Sequence, residues 1–121
     1  LVMPVVGFLP ATDPRFVATV ELIQKELTRG PFVARYRSSS GIDGLPETDS
    51  SFLLCSFWLA DALVLLGRRD EAERIFEGVL AARNDVGLLS ESYDVARRHL
   101  AGNFPQAFSH IGLVNTAMHL A

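Results

Sequence analysis

Between Phe52 and Gly67 the chain reads FLLCSFWLADALVLLG, an apolar run broken only by Ser56 and Asp61. A helix with no polar face has to be covered on every side. Such a segment asks for a helix buried on all sides. The run is too short and too interrupted to span a membrane. Gly67 ends it, and RRDEAERIFEGVL follows at once. There Asp70, Glu71 and Glu73 gather at the start, where the helix dipole favours acidic groups. Ala72, Ile75, Phe76, Val79 and Leu80 form one apolar stripe. The pair predicts an inner helix joined by a tight turn to an outer one.

Two further helices are expected. Thr12 or Asp13 caps the first, with Pro14 near its first position, where a missing N–H costs nothing. Phe16, Val20, Ile23 and Leu27 then share a face, and Gly30-Pro31 stops the helix. The last begins in NFPQAF, where Asn103 and Gln106 have capping-box spacing. Ala107, Ile111, Val114 and Met118 recur on its apolar side. Between these helices lie two long connections. Phe32–Tyr36 has the look of a short strand and SSSGIDGLP is turn chemistry. The second, about twenty residues from Asn84, has no helical or strand period, and connections of that length are usually functional or disordered. It carries Glu91, Tyr93 and Asp94 among apolar residues. The regular elements predict an all-α fold of layered helical hairpins, with both long loops leading into apolar helices.

With 121 residues, 49% of them hydrophobic, the chain suffices for one core. A net charge of −3 offers nothing to neutralise phosphates, and the cluster Arg97, Arg98, His99 is too small to serve nucleic acid. The single cysteine, Cys55, excludes an internal disulfide and a Cys-rich zinc site. No residues have ligand spacing for a metal, and no cofactor motif is present. LVMPVVGFLP lacks a basic leader region, so a cytoplasmic protein is expected. Those first residues resemble the end of a buried element, which suggests a piece of a longer chain.

WLADALVLLGRRDEAERIFEGVL also resembles a tetratricopeptide unit, with Trp in the first helix, Gly at the turn, and Ala and Phe in the second. A non-catalytic helical interaction module is accordingly the alternative reading. No second copy follows at the expected period.

FLLCSFWLADAL, ARNDVGLLSESYD and GNFPQAFSHIGLVNTA, in that order, resemble the C-terminal part of glycoside hydrolase family 15, in its glucoamylase-like and trehalase-like branch. LVMPVVGFLPATDPRF fits the same stretch, so the resemblance covers residues 1–121. It implies part of an (α/α)6 toroid of six helical hairpins, whose active site is built by the loops leading into the inner helices. It implies hydrolysis of α-glucosidic bonds with inversion, on an α-glucan oligosaccharide or trehalose. Glu91 stands where the family carries its general base. Inverting enzymes pair such a carboxylate with an acid about 6.5–9.5 Å away, leaving room for the attacking water. The family draws that acid from sequence upstream of this stretch, so the chain alone is expected to be inactive. Self-association, or an upstream half of the enzyme on another polypeptide, is the expected compensation.

Asp49 aligns with an acidic position in relatives and is read either as a substrate contact or as the cap of the Phe52 helix. Glu47 and Asp49, on the loop entering the Phe52 helix, are the substitutes for the acid that this chain could offer, and the resemblance places the acid at neither. Tyr93 is carried as a substrate-side residue that also shapes the loop. His110 either lines the sugar pocket or is a hydrogen-bonded core histidine. Trp58 reads as core rather than a sugar platform, and Asp61 must find a partner, because an unpaired buried charge is too costly. Two departures from the family pattern stand out: VARRHLA where relatives turn with Pro and Gly, and Asp49-Ser50 where they have Glu-Gly.

Overall fold

The computed structural model describes residues 1–37 and 50–121. Asp49 and Glu47 lie outside the described residues. Hydrogen-bonded turns over the first residues, such as Phe8 N–H to Met3 O at 3.0 Å, fold Leu1, Met3 and Leu9 onto the core. Helix α1 spans Pro14–Leu27; Asp13 is its cap, accepting from the Arg15 N–H at 2.9 Å. Phe16 and Val20 are fully buried, as the periodicity predicts. Strands β1 (Thr28–Arg29) and β2 (Phe32–Val33) make a small antiparallel hairpin around Gly30-Pro31.

Helix α2 spans Leu53–Leu65 and α3 spans Arg69–Leu80. Gly67, at φ +74°, occupies the left-handed position between them. Its N–H reaches Val64 O at 2.9 Å, and the Arg68 N–H reaches Leu63 O at 2.8 Å. This paired closure satisfies the last carbonyls of α2 and turns the chain sharply into α3. Asp70 and Glu71 fill the first turn of α3, while Ala72 and Val79 are buried against α2. The hairpin expected from the sequence is present.

Strands β3 (Ser50–Phe52), β4 (Ser92–Asp94) and β5 (His99–Ala101) form an antiparallel sheet with β4 in the middle. Ser51 pairs with Tyr93, and Tyr93 with Leu100. The fold is therefore mainly helical but not all-α, and the connection after Asn84 is not irregular throughout. The strands are three residues long, too short for an alternation to register in sequence. Helix α2 is capped at Phe52, with no side-chain bond, so the cap expected at Asp49 is not at that position.

Helix α4 spans Ala107–Leu120, with Gln106 at its cap. Two expectations are corrected here. Asn103 lies four residues ahead of the helix and does not cap it. The face of Ala107, Ile111, Val114 and Met118 is outward: Ile111 is 55% and Met118 71% exposed. The buried face is the small-residue one, Ser109, Gly112 and Thr116. Helix α4 comes so close to α2 that a Cβ on Gly112 would lie 2.9 Å from Leu54 Cδ1 and from Phe57 Cδ2. Only small side chains permit that approach, and their hydroxyls are satisfied by Ser90 O and Phe57 O.

Helix α2 is likewise not covered all round. Leu53, Phe57, Leu59 and Leu63 are fully buried, but Leu54, Cys55 and Trp58 are half-buried and Leu65 is exposed. Asp61 does find a partner, His119 Nδ1 at 2.9 Å on α4. The core divides into one cluster where α1 and the first residues meet α2, and another where Leu53, Phe57, Val79 and Leu89 meet. Among the described residues no helix is long and apolar enough to cross a membrane.

Candidate active site

Glu91 immediately precedes β4, and its backbone is held on both sides. The Leu53 N–H, at the start of α2, donates to Glu91 O at 3.1 Å, and the Glu91 N–H donates to Asn103 O at 2.9 Å. The two preceding residues are tied to α4. Leu89 O accepts from the Gln106 N–H at 3.0 Å, and Ser90 O accepts from Ser109 Oγ at 2.7 Å. Leu89 and Ser90 are fully buried. The segment leading to Glu91 is thus a buried strand-like run zipped between the beginnings of α2 and α4. This is how a carboxylate on a loop acquires a fixed position: the backbone under it belongs to the core.

The Glu91 side chain is half-buried. Its Oε2 accepts from the Asn103 N–H at 3.2 Å and from Asn103 Nδ2 at 3.0 Å. Oε1 has no hydrogen-bond partner among the described residues. Gly102, at φ +74°, lies directly against the carboxylate: a Cβ there would sit 2.9 Å from Oε2 and 3.2 Å from Glu91 Cβ. Neither Gly102 nor Asn103 was singled out for this contact by the sequence; the Gly-Asn pair ahead of FPQ is its only trace.

His110 holds the same segment from α4. Its Nδ1 faces Gln106 O at 2.7 Å, and its Nε2 accepts from the Leu89 N–H at 3.3 Å. Those partners assign the neutral tautomer with the proton on Nδ1. Both ring nitrogens are occupied by backbone, Nδ1 by Gln106 at the start of α4 and Nε2 by Leu89, two residues before Glu91, which is the hydrogen-bonded form of the two readings.

Tyr93 is placed elsewhere. Its ring stacks on Phe32 with centroids 4.5 Å apart and planes at 18°. It lines an open cleft of about 660 Å³ that Arg29, Pro31 and Arg98 also border, and Glu91 is not part of that cleft. Asp94 shapes the β4–β5 turn: the Arg97 N–H donates to it at 2.8 Å, and the Arg97 guanidinium at 3.0 Å. Those contacts, the backbone one first, hold its carboxyl below the usual range. Other described carboxylates are held in ion pairs as well, among them Asp61 with His119 and Glu71 with Arg68. Among the described residues no cluster of three or more His, Cys, Asp or Glu could hold a metal ion.

Glu91 is thus a half-buried carboxylate with Oε2 held by Asn103 and Oε1 without a hydrogen-bond partner among the described residues. The profile of the glycosyl hydrolases family 15 matches residues 1–118, and the chain belongs to that family. It is 40% identical over 98% of its length to a protein named trehalase from Thermoplasma volcanium. Identity is 42% over 93% of the chain to a trehalase from Mycolicibacterium smegmatis, and 41% over 99% to one from Mycobacterium tuberculosis. The chain spans only 19%, 17% and 18% of those relatives. No solved structure gives a significant match. The family match runs through the α2–α3 hairpin, and nothing in these comparisons supports the tetratricopeptide alternative.

Proposed function

We propose that this chain contributes the general base, Glu91, to an inverting hydrolase of α-glucosidic bonds, with trehalose as the substrate. The observation that carries the reading is the Glu91 carboxylate, immobilised through Oε2 with Oε1 open, in a sequence about 40% identical to proteins named trehalase. In this chemistry the carboxylate takes a proton from water as that water attacks the anomeric carbon. An acid on the opposite face of the sugar protonates the departing glycosidic oxygen, so the attacked glucose is released inverted, as β, while the departing glucose of trehalose keeps its α configuration. The acid comes from outside these 121 residues, so the chain by itself is inactive. The rest of a helical toroid would then cover the outward apolar face of α4 and the exposed side of α2. Trehalose is preferred over α-glucan oligosaccharides on the names of the relatives alone.

The test is hydrolysis of trehalose and of maltooligosaccharides by the longest natural polypeptide containing this chain, with proton NMR of the anomers as they form. Glu91→Gln is expected to lower trehalose turnover by at least about a thousandfold, at the strong end for loss of a positioned base. From trehalose, equal amounts of α- and β-glucose are expected, because the departing ring keeps its α configuration; α-glucose alone, α-product first from maltooligosaccharides, or full turnover by the variant would refute the assignment.

A further inference from the structure

We infer that Asn103 is a positioning residue for the reaction: it fixes the rotation of the Glu91 carboxylate so that Oε1, and not Oε2, meets the attacking water. This rests on the reading of Glu91 as the base. The geometry is specific. Two donors of one residue, the backbone N–H at 3.2 Å and Nδ2 at 3.0 Å, converge on the same oxygen. The Asn103 carbonyl meanwhile accepts from the Glu91 N–H at 2.9 Å, so both ends of Glu91 are referenced to one residue. A carboxylate offers only acceptors, which places the Asn103 amide nitrogen, and not its oxygen, toward Glu91.

Without such a clamp the terminal torsion of a glutamate is broad and roughly two-fold, and the carboxylate samples many orientations. Base catalysis needs the lone pair aimed at one water, and misplacement by a fraction of an ångström is costly. Gly102 serves the same end by omission. Its missing Cβ lets the carboxylate lie down against the loop, where any side chain would meet Oε2 at 2.9 Å. Asn103 is exposed and lies outside every helix and strand, so no packing role competes for it.

The experiment compares Asn103→Ala, Asn103→Asp, Gly102→Ala and Glu91→Gln in the longest natural polypeptide containing this chain, with trehalose as substrate. Asn103→Ala keeps the backbone donor and loses the side-chain one. Its kcat should fall roughly 10- to 100-fold, as for a hydrogen bond to a charged group, with KM within about twofold, since a base makes contacts only as the reaction proceeds. Asn103→Asp keeps the shape but replaces the donor with a second anion, so it should be slower than Asn103→Ala. A residue that merely packs predicts the opposite order, because the isosteric aspartate would be the milder change. Gly102→Ala should also lower kcat, because its Cβ would crowd the Glu91 carboxylate and its φ of +74° strains the loop that presents Asn103. If Glu91→Gln is inactive while both Asn103 variants turn over like the parent, the positioning role is wrong and the base assignment stands. If Glu91→Gln is fully active, both are wrong.

Discussion

Gly112→Ala sets two physical effects of opposite sign against each other. Alanine is the better helix former by about 1 kcal/mol, so propensity alone predicts a more stable α4. The structure predicts the reverse. The new Cβ would lie 2.9 Å from Leu54 Cδ1, 2.9 Å from Phe57 Cδ2 and 3.2 Å from Phe57 Cβ. Leu54 is half-buried and can rotate its methyl away, but Phe57 is 0% exposed and has nowhere to move. Helix α4 must then back off from α2, loosening the Thr116 hydroxyl's 3.4 Å contact with Phe57 O. Overpacking of a tight contact costs about 1–3 kcal/mol. With two of the three distances under 3.0 Å we take the upper half of that range, which leaves a net loss of about 1–2 kcal/mol. A urea slope near 2 kcal/mol/M suits a chain of this size, so the midpoint should fall by about 0.5–1 M. The single tryptophan, Trp58, sits on α2 and reports the transition by fluorescence. In a Phe57→Val background, which has no δ carbons, Gly112→Ala should cost less than in the parent, a coupling that independent sites do not show. A Gly112→Ala midpoint equal to or above the parent's would refute the close-approach argument.

Gly78→Ala should destabilise by a similar overpacking term, about 1–3 kcal/mol, because its Cβ would strike Pro31 Cβ at 2.4 Å. The urea midpoint reads this, and an unshifted value would count against it. Cys55 is pushed up to about 11, first by burial, with Arg35 and the N-terminal amine opposing; it should react with thiol reagents at pH 8 at least tenfold more slowly than an unshifted thiol, since the thiolate is the nucleophile. Alkylation at the rate of a free cysteine would contradict that. Asp13 is held at about 2, first by the Arg15 side chain and then by its N–H. Its folded value lies below the unfolded 3.8, so its contribution is complete above about pH 4 and disappears as the pH falls through 2. The urea midpoint of Asp13→Asn should therefore change less than the parent's between pH 5 and pH 2, and parallel curves would argue against the cap's charge mattering.

What the sequence determined by itself was the helical skeleton and the family to which the chain belongs. The apolar run into Gly67, the stripe of α3 and the Asp13-Pro14 start of α1 are local signals, and each reads correctly because propensity, capping and periodicity act within a few residues. The family was legible through the order of three motifs. Tertiary structure decided the rest. The strands of β3, β4 and β5 exist because Phe52 and Ala101 come to lie on either side of Ser92, a pairing of residues distant in sequence. Helix α4 buries Ser109, Gly112 and Thr116 and turns Ile111 and Met118 outward, against its hydrophobic pattern, because closeness to α2 selects small side chains over apolar ones. Asn103 has cap spacing but serves Glu91 instead, since the loop brings its amide to a carboxylate twelve residues earlier. Local chemistry chose the elements; only the distances between them could say which faces are buried and which oxygen of Glu91 is left open.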